Sequence, residues 1–280
     1  MPLNPEGKIA IIAGNGVLPN LLAKECIRRN LDYVIVLFEG ISADWTADHP
    51  VQPAIFEKPG RLFKSLRKSG VNQITMAGGM ERPQLNPLRF DRTGLRLAPI
   101  VMNALKKGDG GTLAVVAALF EAEGFDVIGA HNLLGSLLAP VGVLTTATPS
   151  DEDQKDIDRA VEIVTALGAA DVGQAVVVAQ GICLGVESIQ GTDAMLRFVS
   201  QNPYALPEKN GATGVLLKAP KPGQDWRADL PAIGPDTFDL AARAGLSGVV
   251  VTAGGALILG LDETLAKANA LGLFLLGREG

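Results

Sequence analysis

An α/β fold in two domains is predicted for this chain, and three features of the sequence predict it. Near-continuous apolar runs alternate with helical patterns through the first half. Glycine clusters follow several of those runs. The second half then changes texture, to short strands at hairpin spacing. Runs apolar along their whole length belong to strands buried on both faces, which is the pattern of a parallel sheet covered by helices. At 280 residues the chain has room for one large domain or two ordinary ones.

Taken in order, residues 8–13 form a compact apolar run that stops at Gly14-Asn15-Gly16, and a helical pattern covers 18–29. Strands are expected at 33–38 and 73–77, helices at 99–107 and 113–123, and a strand at 125–130. These elements predict an N-terminal, mostly parallel Rossmann-like sheet with flanking helices over residues 1–132. The pattern loosens over 133–150 around Gly135, Pro140, Gly142 and Pro149, and this stretch reads as the inter-domain linker. Ser150 with Asp153 signals a helix start. Five acids follow closely (Asp151, Glu152, Asp153, Asp156 and Asp158), assigned to the favourable end of that helix dipole. Ile157, Val161, Val164 and Leu167 supply its apolar face.

Beyond it, 175–180 and 182–188 read as a hairpin about Gly181. A helix at 194–200, a strand at 215–217 and a helix at 237–244 come next. A second hairpin of 249–252 with 256–259, a helix at 263–271 and a strand at 274–276 complete a mixed α/β domain over 151–280.

Bulk properties exclude several classes. The net charge of −5 and the lack of a basic stripe argue against nucleic acid as a partner. The two cysteines, Cys26 and Cys183, make no disulfide framework and read as small buried hydrophobes of a reducing compartment. No basic n-region opens the chain, and the apolar tracts fall short of a membrane span, so a cytoplasmic location is expected. His49 and His131 have no second ligand at metal spacing.

Charge gathers at residues 218–235. Pro220 and Pro222 exclude a regular helix or central strand, yet the stretch carries Lys218, Lys221, Asp225, Arg227 and Asp229. Were 225–229 extended, the two aspartates would lie about 13 Å apart, too far for one magnesium ion. One acid would then serve an ion while the other pairs with Arg227. A solvated charge ladder of little energetic weight is the plain alternative. Other stretches carry weaker signals. Gly14 and Gly16 invite a dinucleotide reading, but Pro19 stands where the third glycine of that fingerprint belongs. A turn that lifts amides towards an anion fits better. Glu39, after the second strand, is placed to reach a ribose. Gly79 with Arg82, and Gly110, offer further phosphate donors. In the first hairpin Cys183, Gly185 and Glu187 share one face of little bulk, and Gly191, Thr192 and Asp193 open the following helix.

The motifs Gly14-Asn15-Gly16-x-Leu18-Pro19, Gly78-Gly79-x-x-Arg82-Pro83, Gly108-Asp109-Gly110, Glu187-x-x-x-Gly191-Thr192-Asp193-Ala194-Met195 and Lys218-x-x-Lys221-Pro222-x-Gln224-Asp225-x-Arg227-x-Asp229-x-Pro231-x-Ile233-Gly234-Pro235 occur in this order. Together they resemble the UDP-2,3-diacylglucosamine pyrophosphatases of lipid A biosynthesis, of the magnesium-dependent type unrelated to calcineurin-like phosphoesterases. The resemblance spans nearly the whole chain. It implies hydrolysis of the UDP-sugar pyrophosphate to UMP and 2,3-diacylglucosamine 1-phosphate (lipid X), with water attacking the phosphate nearer the sugar. It implies Asp225 in catalysis, supported by Asp193 and Glu187, with Asp225 and Asp193 as candidate ligands of Mg2+. Lys218, Lys221, Gln224 and Arg227 fall on the substrate, as do Gly191, Thr192 and the glycine turns with Arg82. The implied partner is an amphipathic lipid, met by peripheral contact at the inner face of the membrane; a homodimer stays open. All these acids and bases are expected to converge on one hollow.

Overall fold

The computed structural model describes residues 3–4, 7–80, 83–105, 109–203, 213–227 and 230–280. It forms two compact units: Met1–Gly135 with Asp225–Asp229, and Ser136–Gln224 with Leu230–Gly280. Asp225, Trp226 and Arg227 thus fall with the first unit although the chain on either side belongs to the second.

The first unit is built on strands β1 (Lys8–Ala13), β2 (Tyr33–Phe38), β3 (Val51–Ala54), β4 (Val71–Ala77) and β5 (Asp126–Val127). They lie in the order β3-β2-β1-β4-β5 and every pairing is parallel. Helices α1 (Leu18–Arg28), α2 (Pro59–Lys68), α3 (Arg92–Ala104), α4 (Asp109–Ala122) and α5 (Ala130–Leu133) complete it. The alternation of side chains along β1 explains its uninterrupted apolar run. Ile9, Ile11 and Ala13 pack on Leu22, Ala23 and Cys26 of α1. Ala10 and Ile12 pack on the other face with Leu62, Phe63 and Leu66 of α2 and Phe120 of α4. Both faces are covered, as the composition of the strands requires.

Several elements differ from the expectation. β3 and α2 carry no strong sequence signal. β3 holds Pro53 and sits at the sheet edge, where a missing amide donor is tolerated. α2 shows only a narrow apolar stripe in a basic segment. α3 begins earlier than expected, because the Asp91 carboxylate accepts the Gly94 amide at 2.6 Å as an N-cap and Pro99 is absorbed within the helix. The run over 125–130 yields only a two-residue strand before α5, so His131 lies on a helix and not at a strand end.

The second unit has a six-stranded sheet in the order β6-β13-β11-β9-β7-β8. Its strands are β6 (Gly142–Val143), β7 (Ala175–Ala179), β8 (Ile182–Val186), β9 (Val215–Lys218), β11 (Gly248–Thr252) and β13 (Phe274–Arg278). β9, β11 and β13 run parallel, while β6 and β7 pair antiparallel to their neighbours. A small parallel sheet joins β10 (Ala232–Ile233) to β12 (Leu257–Ile258). The helices are α6 (Asp151–Ala169), α7 (Gly191–Gln201), α8 (Pro235–Arg243) and α9 (Leu261–Leu271). Residues 133–150 carry β6, which joins the large sheet through Val143 opposite Leu276.

The hairpin of β7 and β8 forms, turning through Gln180 and Gly181, both at positive φ. The second hairpin does not. Its two halves enter different sheets, because Leu257 and Ile258 take Ala232 and Ile233 as ladder partners instead of β11. The acids of α6 also divide their labour. Ser150 and Asp153 form a capping box. Asp156 is buried, and its carboxylate accepts the amides of Gln180 at 2.9 Å and Gly181 at 2.7 Å, fastening the hairpin turn to the helix. Cys26 is buried, and burial pushes its thiol up to about 11. Cys183, expected inside, lies exposed on edge strand β8.

Candidate active site

The proline loop is stiffened in two places. Lys221-Pro222-Gly223-Gln224 forms a tight turn in which Gln224 donates its amide to the Lys221 carbonyl at 3.1 Å. Gln224 returns its side-chain oxygen to the Lys221 amide at 2.7 Å. Proline at the second position and a glycine at φ +72 at the third are what a type II turn requires. Pro222 lies against Gly168 near the end of α6, where a Cβ would stand 2.7 Å from its ring. The Lys221 ammonium meets Asp171 at 2.7 Å. Lys218, buried at the end of β9, donates to the Ala232 carbonyl at 3.0 Å. Both lysines of the loop are therefore held by the second unit's own framework.

Asp225 and Arg227 belong to the first unit by their contacts. They are not extended past one another. Asp225 accepts the Arg227 backbone amide at 3.0 Å, and its two carboxylate oxygens meet the guanidinium at 3.0 and 2.8 Å. Arg227 also reaches Glu121 of α4 at 2.5 Å. The bond to Arg227, ahead of every other cause, holds the Asp225 carboxyl below the usual aspartate range. Asp229 lies outside the described residues, as does Arg82.

At the end of the hairpin the geometry differs. Glu187 is buried, accepts the Gln174 amide at 3.0 Å and the Thr192 hydroxyl at 2.7 Å, and so uses both carboxylate oxygens inside the second unit. Thr192 is held inward by that bond. Gly191, at φ +82, begins α7, and Asp193 projects outward from its first turn with only a loose contact to Arg197 at 3.7 Å. The low-bulk face read from Gly185 is occupied by α7 itself, since a Cβ there would meet Val199 at 2.9 Å and Met195 at 3.0 Å. Among the described residues no three His, Cys, Asp or Glu side chains are gathered to hold a metal unaided. Magnesium does not require that, because it keeps several waters and takes one or two carboxylates with substrate phosphates. Asp193, half outside the protein, fits that role most simply, whereas Asp225 would have to share its oxygens with Arg227.

The glycine turns of the first unit have a different explanation from the one expected. The Asn15 amide donates to the Gly79 carbonyl at 2.7 Å, and the Gly79 amide to the Asn15 carbonyl at 3.0 Å. Gly14 donates to Ala77 at 2.8 Å. A Cβ on Gly14 would stand 2.4 Å from the Gly79 carbonyl, and one on Gly78 at 2.4 Å from that of Asn15. These glycines let two strand ends close on each other, which occupies the Gly79 amide that was expected on phosphate. Gly16, at φ +96, has open space where a side chain would be. Gly110 lies in the first turn of α4 instead of a free loop.

Sequence reasoning missed the long-range bonds by which Asp156, Asp171 and Glu121 each fix a loop. An acid gives no local sign of a partner so far along the chain.

Fold and side chains together define a two-unit α/β protein with paired carboxylate and cationic groups on a proline-stiffened loop. The particular family follows from comparison with known proteins. Residues 8–137 match the LpxI N-terminal domain and residues 140–276 the LpxI C-terminal domain. The chain is 39% identical over 271 residues to UDP-2,3-diacylglucosamine pyrophosphatase LpxI of Caulobacter vibrioides, covering 96% of this chain and 97% of that protein. The chain belongs to the LpxI family. Among solved structures, CobK precorrin-6A reductase aligns over 98% of this chain and 89% of its own at 15% identity, but its TM-score of 0.31 carries no argument.

Proposed function

We propose that this chain hydrolyses the pyrophosphate of UDP-2,3-diacylglucosamine, releasing UMP and 2,3-diacylglucosamine 1-phosphate in lipid A biosynthesis. The observation that carries the reading is end-to-end identity with a pyrophosphatase of that specificity, 39% across 96% of the chain. The arrangement of charges supports it. Splitting a diphosphate needs fixed positive charge where negative charge develops on oxygen, placed beforehand so that nothing reorganises during the reaction. Lys218 and Lys221 would supply that charge, and a strand end and a proline turn hold them in advance.

Asp225 is the residue proposed for catalysis. Its carboxyl is kept charged by Arg227, which makes it a poor proton acceptor at neutral pH. Its role is therefore to orient the attacking water or to hold a cation, not to act as a strong base. A magnesium ion at Asp193 or Asp225 would shield the phosphate oxygens and lower the pKa of a bound water. The lipid tails call for peripheral contact with a membrane surface, and among the described residues no helix is long and apolar enough to cross one.

The test is to incubate the purified chain with UDP-2,3-diacylglucosamine and magnesium in H2 18O. UMP and 2,3-diacylglucosamine 1-phosphate are expected, with the label on the latter, and EDTA should stop the reaction. If neither product is released, the proposal is wrong; label in UMP would move the attack to the other phosphorus.

A further inference from the structure

One exposed apolar side chain on a helix, such as Ile27 on α1, is ordinary. α3 and the residues leading into it carry more than that. Leu88 is 95% exposed, Leu95 59%, Ile100 50% and Met102 54%. The core takes the opposite side of this helix, through Leu97 and the buried Gly94 and Ala104. At about 100° per residue, Leu95, Pro99 and Met102 fall in one line along α3, and Arg92 and Arg96 fall beside that line.

Charge selects the partner. From Arg92 to Ala104 the helix carries two arginines and no acid. Asp91, just before it, is occupied as the N-cap. An apolar line flanked by guanidinium groups fits the surface of an anionic bilayer, where apolar side chains enter the acyl boundary and the cations stay among the phosphates. A second copy of the same face is disfavoured, because a two-fold axis would set arginine against arginine. Position points the same way. α3 packs on α4, with the Thr112 hydroxyl donating to the Ala104 carbonyl at 2.9 Å. α4 carries Glu121, which holds Arg227, so the face neighbours the group proposed for catalysis within one unit.

We propose that the exposed face of α3 is the membrane-docking surface of this chain, and that its partner is an anionic phospholipid bilayer. The choice of a bilayer rests on the pyrophosphatase reading above, whose substrate carries acyl chains. These residues take no part in the hydrolysis: they bring the chain to the surface that holds the substrate.

Co-sedimentation of the full chain with vesicles tests it, one set of phosphatidylcholine alone and one of phosphatidylcholine with phosphatidylglycerol in equal parts. Wild type should bind the mixed vesicles at least about tenfold more tightly than the neutral ones, and less tightly as salt is raised. Leu95→Asn combined with Met102→Asn should weaken that binding by about tenfold or more, and Arg92→Glu by about fivefold or more. Ile27→Asn, as exposed as Leu95 but on the helix that covers the other face of the sheet, should leave it unchanged. Wild type that ignores the mixed vesicles, or binds both kinds equally, overturns the proposal without need of any variant. Unchanged binding by a folded double variant does the same. Dimers lost in the double variant, in place of vesicle binding, would give the face to a second copy and overturn it too. Assays on UDP-2,3-diacylglucosamine dispersed in detergent separate the two claims, because there the double variant should match the wild-type rate, losing rate only on substrate held in mixed vesicles. Hydrolysis by a wild type that binds no vesicles sinks the docking surface alone; vesicle binding without hydrolysis sinks the enzyme reading alone.

Discussion

Glu187 and Asp225 each accept one backbone amide and one side-chain donor, and sequence reasoning grouped them in one catalytic set. Their surroundings separate them. Glu187 is buried, and its donors are neutral, the Gln174 amide and the Thr192 hydroxyl. Asp225 is about a quarter exposed and its donor is a guanidinium, itself shared with Glu121. A carboxylate saturated by neutral donors in the interior is a brace, tying the end of β8 to the start of α7. One held ionised at the surface by a cation is a charge kept ready. What distinguishes the two is the partner and the access of solvent, neither of which residue type reveals.

The comparison predicts opposite phenotypes. Asp225→Ala should lower kcat by on the order of 10³-fold, the loss typical of removing a preorganised electrostatic group, while leaving the thermal midpoint within a few degrees. Thermal unfolding with UMP release on the same samples reads both. Glu187→Ala should do the reverse. It strands the Gln174 amide and the Thr192 hydroxyl, and equilibrium denaturation should show a loss of about 2–4 kcal/mol. A smaller and more diagnostic effect comes from Arg227→Gln. The folded pKa of Asp225 lies below its ordinary value of 3.8, so the pair's contribution is present above that value and is lost as pH falls through the folded pKa. Without the guanidinium, burial pushes the carboxyl upward. The acid limb of the kcat/KM profile should therefore move to higher pH, whatever happens to its height. An unmoved limb would mean that the titration of Asp225 does not govern activity.

Much of the fold was legible in the sequence because buried parallel strands leave a plain mark. The runs at β1, β2 and β4 are apolar throughout since both faces are covered. β3 and α2 were illegible for the complementary reason. An edge strand with Pro53 is half exposed, and α2 shows the core only Leu62, Phe63 and Leu66 among basic residues. The false second hairpin came from two apolar segments near in sequence whose ladder partners lie elsewhere. At the site, the type II turn of Lys221–Gln224 could be read from Pro222 and Gly223, because local backbone rules decide it. The glycines after β1 and β4 misled. A glycine required for close approach carries no sign of whether the approaching group is a ligand or, as here, the other strand end. Asp171 and Glu121, which fix Lys221 and Arg227 from far along the chain, left no pattern at all.

The division of labour between the two carboxylates is tested most directly by isosteric amides, Asp225→Asn and Glu187→Gln, with UMP release measured per folded molecule in each. The expected result is a collapse of turnover in the first and retention within a few-fold in the second. Equal losses, or the larger loss at Glu187, would contradict it.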